Sequence, residues 1–114
     1  MTITFDDYMR QTRKTAIYPE AGTGSTLALA YAGLGLGEAG EIQNQLKKII
    51  RDNHGEVTDE RREAIAKELG DLCWYIGRCA DELDLSLDKI ILQNLEKLNS
   101  RAERGVLQGS GDNR

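Results

Sequence analysis

GLGLGEAGE, residues 33–41, decides how the chain is read, because its four glycines permit two incompatible structures. Gly35-x-Gly37-x-x-Gly40 satisfies the dinucleotide-binding fingerprint, and the apolar run TLALAYA (residues 26–32) stands upstream, where that fingerprint requires a strand. A dinucleotide fold also needs alternating strands and helices, and no second or third strand pattern follows Gly40. A helix accounts for the stretch better. On a wheel of ~100° per residue, Leu27, Tyr31, Leu34, Ile42 and Ile49 fall on one stripe that runs through the glycines. Each glycine costs about 1 kcal/mol of helix propensity, so four cost roughly 3–4 kcal/mol. Gly33, Gly37 and Gly40 share one flank of the stripe, where missing side chains admit a neighbouring helix or a ligand.

Outward from this stretch the chain reads as all-α. A single Pro, few aromatics and long runs of Leu, Ile, Ala, Glu and Lys show no sustained period-2 alternation. Thr4, with Asp7 three residues on, caps a first helix that Pro19 ends. Ser25 or Thr26 caps a second helix running to about Asn53, Thr58 a third to about Leu83, and Ser86 a fourth ending near Gly105. The expected architecture is a four-helix bundle-like domain, completed by oligomerisation because 114 residues enclose only a modest core. Residues 1–24 form an N-terminal helix and loop, 25–105 the helical core and 106–114 a polar tail, all within one domain.

With 15 Lys and Arg against 19 Asp and Glu, no positive field attracts a nucleic-acid polymer. No apolar run approaches the roughly 18 residues of a membrane span, and the N-terminus lacks a leader pattern, so a cytoplasmic protein with no membrane partner is expected. Cys73 and Cys79 are expected to be reduced core thiols, since their separation on one helix forbids a mutual bridge.

The informative anomaly is Glu38 and Glu41, which the wheel places inside the apolar stripe. Two carboxylates buried side by side repel and lose hydration unless a cation or several donors neutralise them. KELGD (residues 67–71) repeats the spacing with Glu68 and Asp71, beside the stripe of Ile65, Leu69, Leu72, Ile76 and Leu83. Two acidic pairs facing one another across a helix packing would hold a hard cation, Mg²⁺ or Mn²⁺, in a site that also takes phosphate oxygens. The only histidine, His54, lies outside both pairs, which removes the Glu-x-x-His arrangement of di-iron bundles.

A basic set accompanies the acids. Asn94, Lys97 and Arg101 line one edge of the fourth helix, and Gln45 and Lys48 follow Glu41 by one and two turns. Such groups either neutralise phosphate charge or snorkel from a packed face. Trp74 and Tyr75, which point away from the Leu69 and Leu72 stripe, are either a second packing face, as in an oligomer, or a stacking surface for a base. Arg78, one turn beyond Trp74, serves either role or is a solvated cation.

Together GLGLGEAGEIQNQLKKIIRD (33–52), KELGDLCWYIGRCADELDLSLDKI (67–90) and NLEKLNSRAERG (94–105) closely resemble the MazG-like nucleoside triphosphate pyrophosphohydrolases. These are all-α enzymes related to dimeric dUTPases and dCTP pyrophosphatases. Their hallmark, Glu-x-x-Glu followed by Glu-x-x-Asp, falls on Glu38, Glu41, Glu68 and Asp71. A common form of that motif has a further Glu where this chain has Gly37. The resemblance implies Mg²⁺-dependent hydrolysis between the α and β phosphates, with these four carboxylates as metal ligands; on chemical grounds we assign Glu41 as the carboxylate that orients or deprotonates the attacking water. The resemblance also implies that Asn94, Lys97 and Arg101 contact phosphates and that the chain forms a homodimer or homotetramer; the helical wheel adds Lys48 as a further phosphate-binding candidate. The competing reading is a non-catalytic helical oligomerisation module, or one that binds nucleotide or metal without hydrolysis.

Overall fold

The computed structural model describes residues 2–114 and is all-α, with no strand among them. Helix α1 spans Phe5–Thr12, α2 Thr26–Leu34, α3 Ala39–Asp52, α4 Asp59–Glu82 and α5 Leu87–Arg104. The starts follow from local chemistry. Thr4 and Asp7 close a reciprocal capping box on α1, while Ser25, Thr58 and Ser86 each accept a first-turn backbone N–H of α2, α4 and α5. Gly105, at φ 71°, supplies the left-handed residue that stops α5.

Two boundaries differ from the sequence reading. The first helix ends at Thr12, well before Pro19, and passes into a 3₁₀ turn at Arg13–Thr15. Hydroxyls take over its terminal carbonyls, Thr12 Oγ1 donating to the Met9 carbonyl at 2.6 Å and Thr15 Oγ1 to the Thr12 carbonyl at 3.2 Å. The second helix is interrupted by a 3₁₀ turn, Gly35–Glu38, which divides it into α2 and α3. Both flanking residues, Leu34 and Ala39, keep right-handed helical dihedrals, so the glycines tighten the helix rather than break it.

Helix α4 is the central element, with α1, α2, α3 and the Gly35–Glu38 turn packed along it and α5 resting mainly on α1. Met9, Ala80 and Leu87 form the buried cluster, with Ile91 packed on it. Ala28 and Ala32 of α2 are fully enclosed, whereas Leu34 and Ile50 are each 73% exposed and Leu27 and Tyr31 nearly half exposed. The buried side of α2 is therefore its alanine face, and the Leu27–Tyr31–Leu34 stripe lies open on the single chain. Cys79 is partly buried but Cys73 is exposed, so the two free thiols are not both core residues. Among the described residues no helix is long and apolar enough to cross a membrane.

Candidate active site

The Gly35–Glu38 turn delivers Glu38 at the junction with α3, and Glu41 follows in the first turn of α3, where the helix dipole favours a carboxylate. Because α3 packs on α4, these two acids face Glu68 and Asp71 in the middle of α4. Glu38 and Glu68 are half-buried, and Glu41 and Asp71 exposed. The grouping registers on Glu68. Partial burial raises its carboxyl pKa, and the negative charges of Asp71, Glu38 and Glu41 push it up further. Among the described residues no three acidic, histidine or cysteine side chains converge closely enough to hold a metal ion.

A cavity of about 430 Å³ opens at this cluster, lined by Glu38, Asp71, Trp74, Tyr75 and Thr15. Its aromatic wall is fixed. Trp74 Nε1 donates to Thr15 Oγ1 at 2.8 Å, the indole meets Tyr75 edge-on at 5.1 Å between ring centroids, and Tyr18 meets it from outside at 6.4 Å. Thr15 carries no sequence signal for this role, being one hydroxyl in a stretch that the sequence reading placed in the first helix and that folds as the Arg13–Thr15 turn. Trp74 and Tyr75 thus line the acidic cavity on the single chain.

Glycine in the 3₁₀ turn has one identifiable steric purpose. A Cβ on Gly35 would lie 1.9 Å from Tyr75 Cδ1, whereas Gly33, Gly37 and Gly40 have open space at that position. The expected close approach therefore occurs at Gly35, and an aromatic ring makes it. Gly35→Ala is expected to displace Tyr75, cost about 1–3 kcal/mol by overpacking, and alter Trp74 fluorescence through the disturbed edge contact. An unchanged melt with an unchanged emission spectrum would contradict this.

The basic set lies elsewhere on the chain. Lys48 is half-buried on α3, where its charge acts weakly on Asp52, and Gln45 accepts a hydrogen bond from Arg61 Nη1 at 3.2 Å. Asn94 is exposed on α5. Lys97 and Arg101 pair with Asp112 of the C-terminal segment, and among the described residues neither forms an ion pair with the four carboxylates. Arg78 is no solvated cation: its side chain is fully enclosed and bonded to Tyr18, Thr12 and Asp81. It borders a larger cavity of about 530 Å³ with Arg13, Gly22, Asp81 and Glu82, but those charged groups are spent on one another and on the loop backbone.

An all-α domain that gathers two carboxylate pairs from packed helices beside an aromatic cleft belongs to a recognisable class of helical proteins with an acidic site. The chain is a member of the MazG nucleotide pyrophosphohydrolase domain family, whose model matches residues 29–106 and so spans both pairs. It is also 50% identical over 111 residues to the Gene 37 protein of Mycobacterium phage L5, covering 96% of this chain and 97% of that relative. The relative's name states no activity. No solved structure matches the chain significantly.

Proposed function

We propose that the protein is a Mg²⁺-dependent pyrophosphohydrolase that cleaves nucleoside or deoxynucleoside triphosphates between the α and β phosphates, releasing a monophosphate and pyrophosphate. The observation that carries this reading is that a chain of the MazG family brings Glu38 and Asp71, from different helical segments, to one aromatic cleft, with Glu41 and Glu68 each three residues from one of them. Four mutually repelling carboxylates beside a cleft are poorly suited to stabilising a fold and well suited to a cation. Their all-oxygen donor set fits Mg²⁺, with Mn²⁺ as a substitute. Glu38, Glu41, Glu68 and Asp71 would hold it, and since they do not converge, their side chains must turn inward to do so. When bound, the ion supplies positive charge to the phosphate oxygens and lowers the pKa of the attacking water.

The remaining steps belong to the chain's own side chains. Glu41 orients the water and accepts its proton as the new bond forms at the α phosphorus and the bond to the bridging oxygen breaks. Lys97, Arg101 and Lys48 balance the charge of the departing pyrophosphate, with Asn94 donating a hydrogen bond. Trp74 and Tyr75 stand at right angles to one another, and one of the two rings offers a face on which the base stacks. Lys97 and Arg101 stand apart from the acids on the single chain, and Ile90 and Leu98, which border them on α5, are each more than a third exposed. A homodimer or homotetramer would cover such apolar surface and complete the site. Removal of surplus or noncanonical nucleotides is the role we assign.

The test is incubation of the pure protein with a panel of canonical and modified triphosphates and Mg²⁺. Monophosphate and pyrophosphate are expected from at least one, with no activity in EDTA; products from none would sink the reading. The rival, a helical module without catalysis, predicts a melting temperature indifferent to Mg²⁺ and nucleotide. Binding to the native state at a hundredfold excess over Kd would instead add about 2.7 kcal/mol of stability.

A further inference from the structure

Past Gly105 the chain turns back along α5. Asp112 Oδ1 accepts from Lys97 Nζ at 2.9 Å and from Arg101 Nη2 at 3.2 Å, and the Asp112 carbonyl accepts from the same Nη2. Arg114 folds the segment into a compact hook, its guanidinium donating to the carbonyls of Val106, Leu107 and Gly111, while Arg104 Nη2 donates to the Arg114 carbonyl at 2.9 Å. Arg101 is 5% exposed, and its Nε is buried with no hydrogen-bond partner.

We propose that residues 106–114 form a displaceable strap whose Asp112 carboxylate occupies the position of a substrate phosphate at Lys97 and Arg101, so that strap docking and polyphosphate binding exclude each other. This rests on the assignment of those two cations to phosphate binding. The mimicry is incomplete. Asp112 engages Arg101 through Nη2 alone, whereas a phosphate bears enough oxygens to take Nε and Nη2 together in the side-on, two-bond arrangement that guanidinium favours. The Lys97–Asp112 pair is also weak, because the Asp112 side chain is 75% exposed and that of Lys97 39%, and exposed ion pairs contribute little. A phosphate therefore outcompetes the strap by completing the bonds of Arg101.

Pyrophosphate without Mg²⁺ tests this independently of hydrolysis. Calorimetric titration should show Asp112→Asn binding pyrophosphate about fivefold tighter than the unaltered chain. In the unaltered chain pyrophosphate should accelerate amide exchange across 106–114, and Lys97→Gln should weaken that response. Equal affinity of the two chains, or exchange in the strap that ignores pyrophosphate, overturns the proposal. A response that survives Lys97→Gln places the anion elsewhere and also overturns it. If no triphosphate is hydrolysed but these shifts appear, the strap stands and the catalytic reading fails; hydrolysis without these shifts removes the strap and leaves the catalytic reading in place.

Discussion

Replacing Glu41 by Gln is expected to slow pyrophosphate release about a thousandfold, equivalent to roughly 4 kcal/mol of transition-state stabilisation, while leaving the fold intact. The side chain is exposed in the first turn of α3, so an isosteric amide removes a charge and a proton acceptor without opening a cavity. Stability should respond in the opposite sense to activity. Glu68 has a raised pKa in the folded chain, partly through burial and partly through Asp71, Glu38 and Glu41. Its ionised form therefore opposes folding, a cost present at neutral pH and relieved as pH falls toward the ordinary carboxylate range. Deleting one of the repelling charges lightens that cost. The variant should melt at or slightly above the unaltered protein in metal-free buffer, yet gain less from added Mg²⁺. Asp71→Asn should behave similarly. A rate within tenfold of the unaltered protein would remove Glu41 from both of its proposed roles.

What could be read from the sequence was what local chemistry governs. Thr4, Ser25, Thr58 and Ser86 cap helices through side-chain bonds to backbone three residues on, so each was visible in a window of a few residues. The first acidic pair stood out because Glu38 and Glu41 fall at apolar wheel positions, and the second because Glu68 and Asp71 repeat its spacing beside another stripe. The need for glycine at position 35 was hidden, since the ring that excludes a Cβ there is delivered by Tyr75, forty residues away in the chain. The buried face of α2 was misjudged for a related reason. Ala28 and Ala32 permit closer contact than Leu27, Tyr31 and Leu34, and a hydropathy pattern does not weigh closeness of approach. The strap was invisible because the pairing of Asp112 with Lys97 and Arg101 depends on how the chain turns after Gly105.

Arg78→Met is expected to destabilise the protein by about 3–5 kcal/mol, the usual cost of removing one partner from a buried ionic network. At roughly 4 °C or more per kcal/mol, the melting temperature should fall by about 12 °C or more. Arg78 Nε donates to Tyr18 Oη at 3.1 Å and Nη1 to Asp81 Oδ2 at 2.6 Å, while Nη2 lies 3.7 Å from the fully enclosed carboxylate of Glu82. Burial opposes the guanidinium charge, but the bonds to Asp81 and Tyr18 outweigh it and hold the group protonated. Methionine fills much of the volume, so packing is largely conserved and the electrostatic loss dominates. Asp81 keeps Arg13, which grips it through Nε and Nη2 at 2.8 Å each, but Glu82 loses its buried cation while retaining the Gly22 N–H of the loop before α2. Arg13 and Arg78 depress the Asp81 pKa, so its stabilising contribution is present above the unfolded carboxylate value and lost as pH falls through the depressed one. The deficit of the variant should accordingly narrow in acid. Glu82→Gln isolates the pair: if an uncompensated Glu82 carboxylate is the main penalty, Arg78→Met should cost at least about 1 kcal/mol less in the Glu82→Gln background. Additive losses would mean that Arg78 acts through Asp81, Tyr18 and Thr12 instead, tying α4 to the N-terminal segment rather than neutralising Glu82.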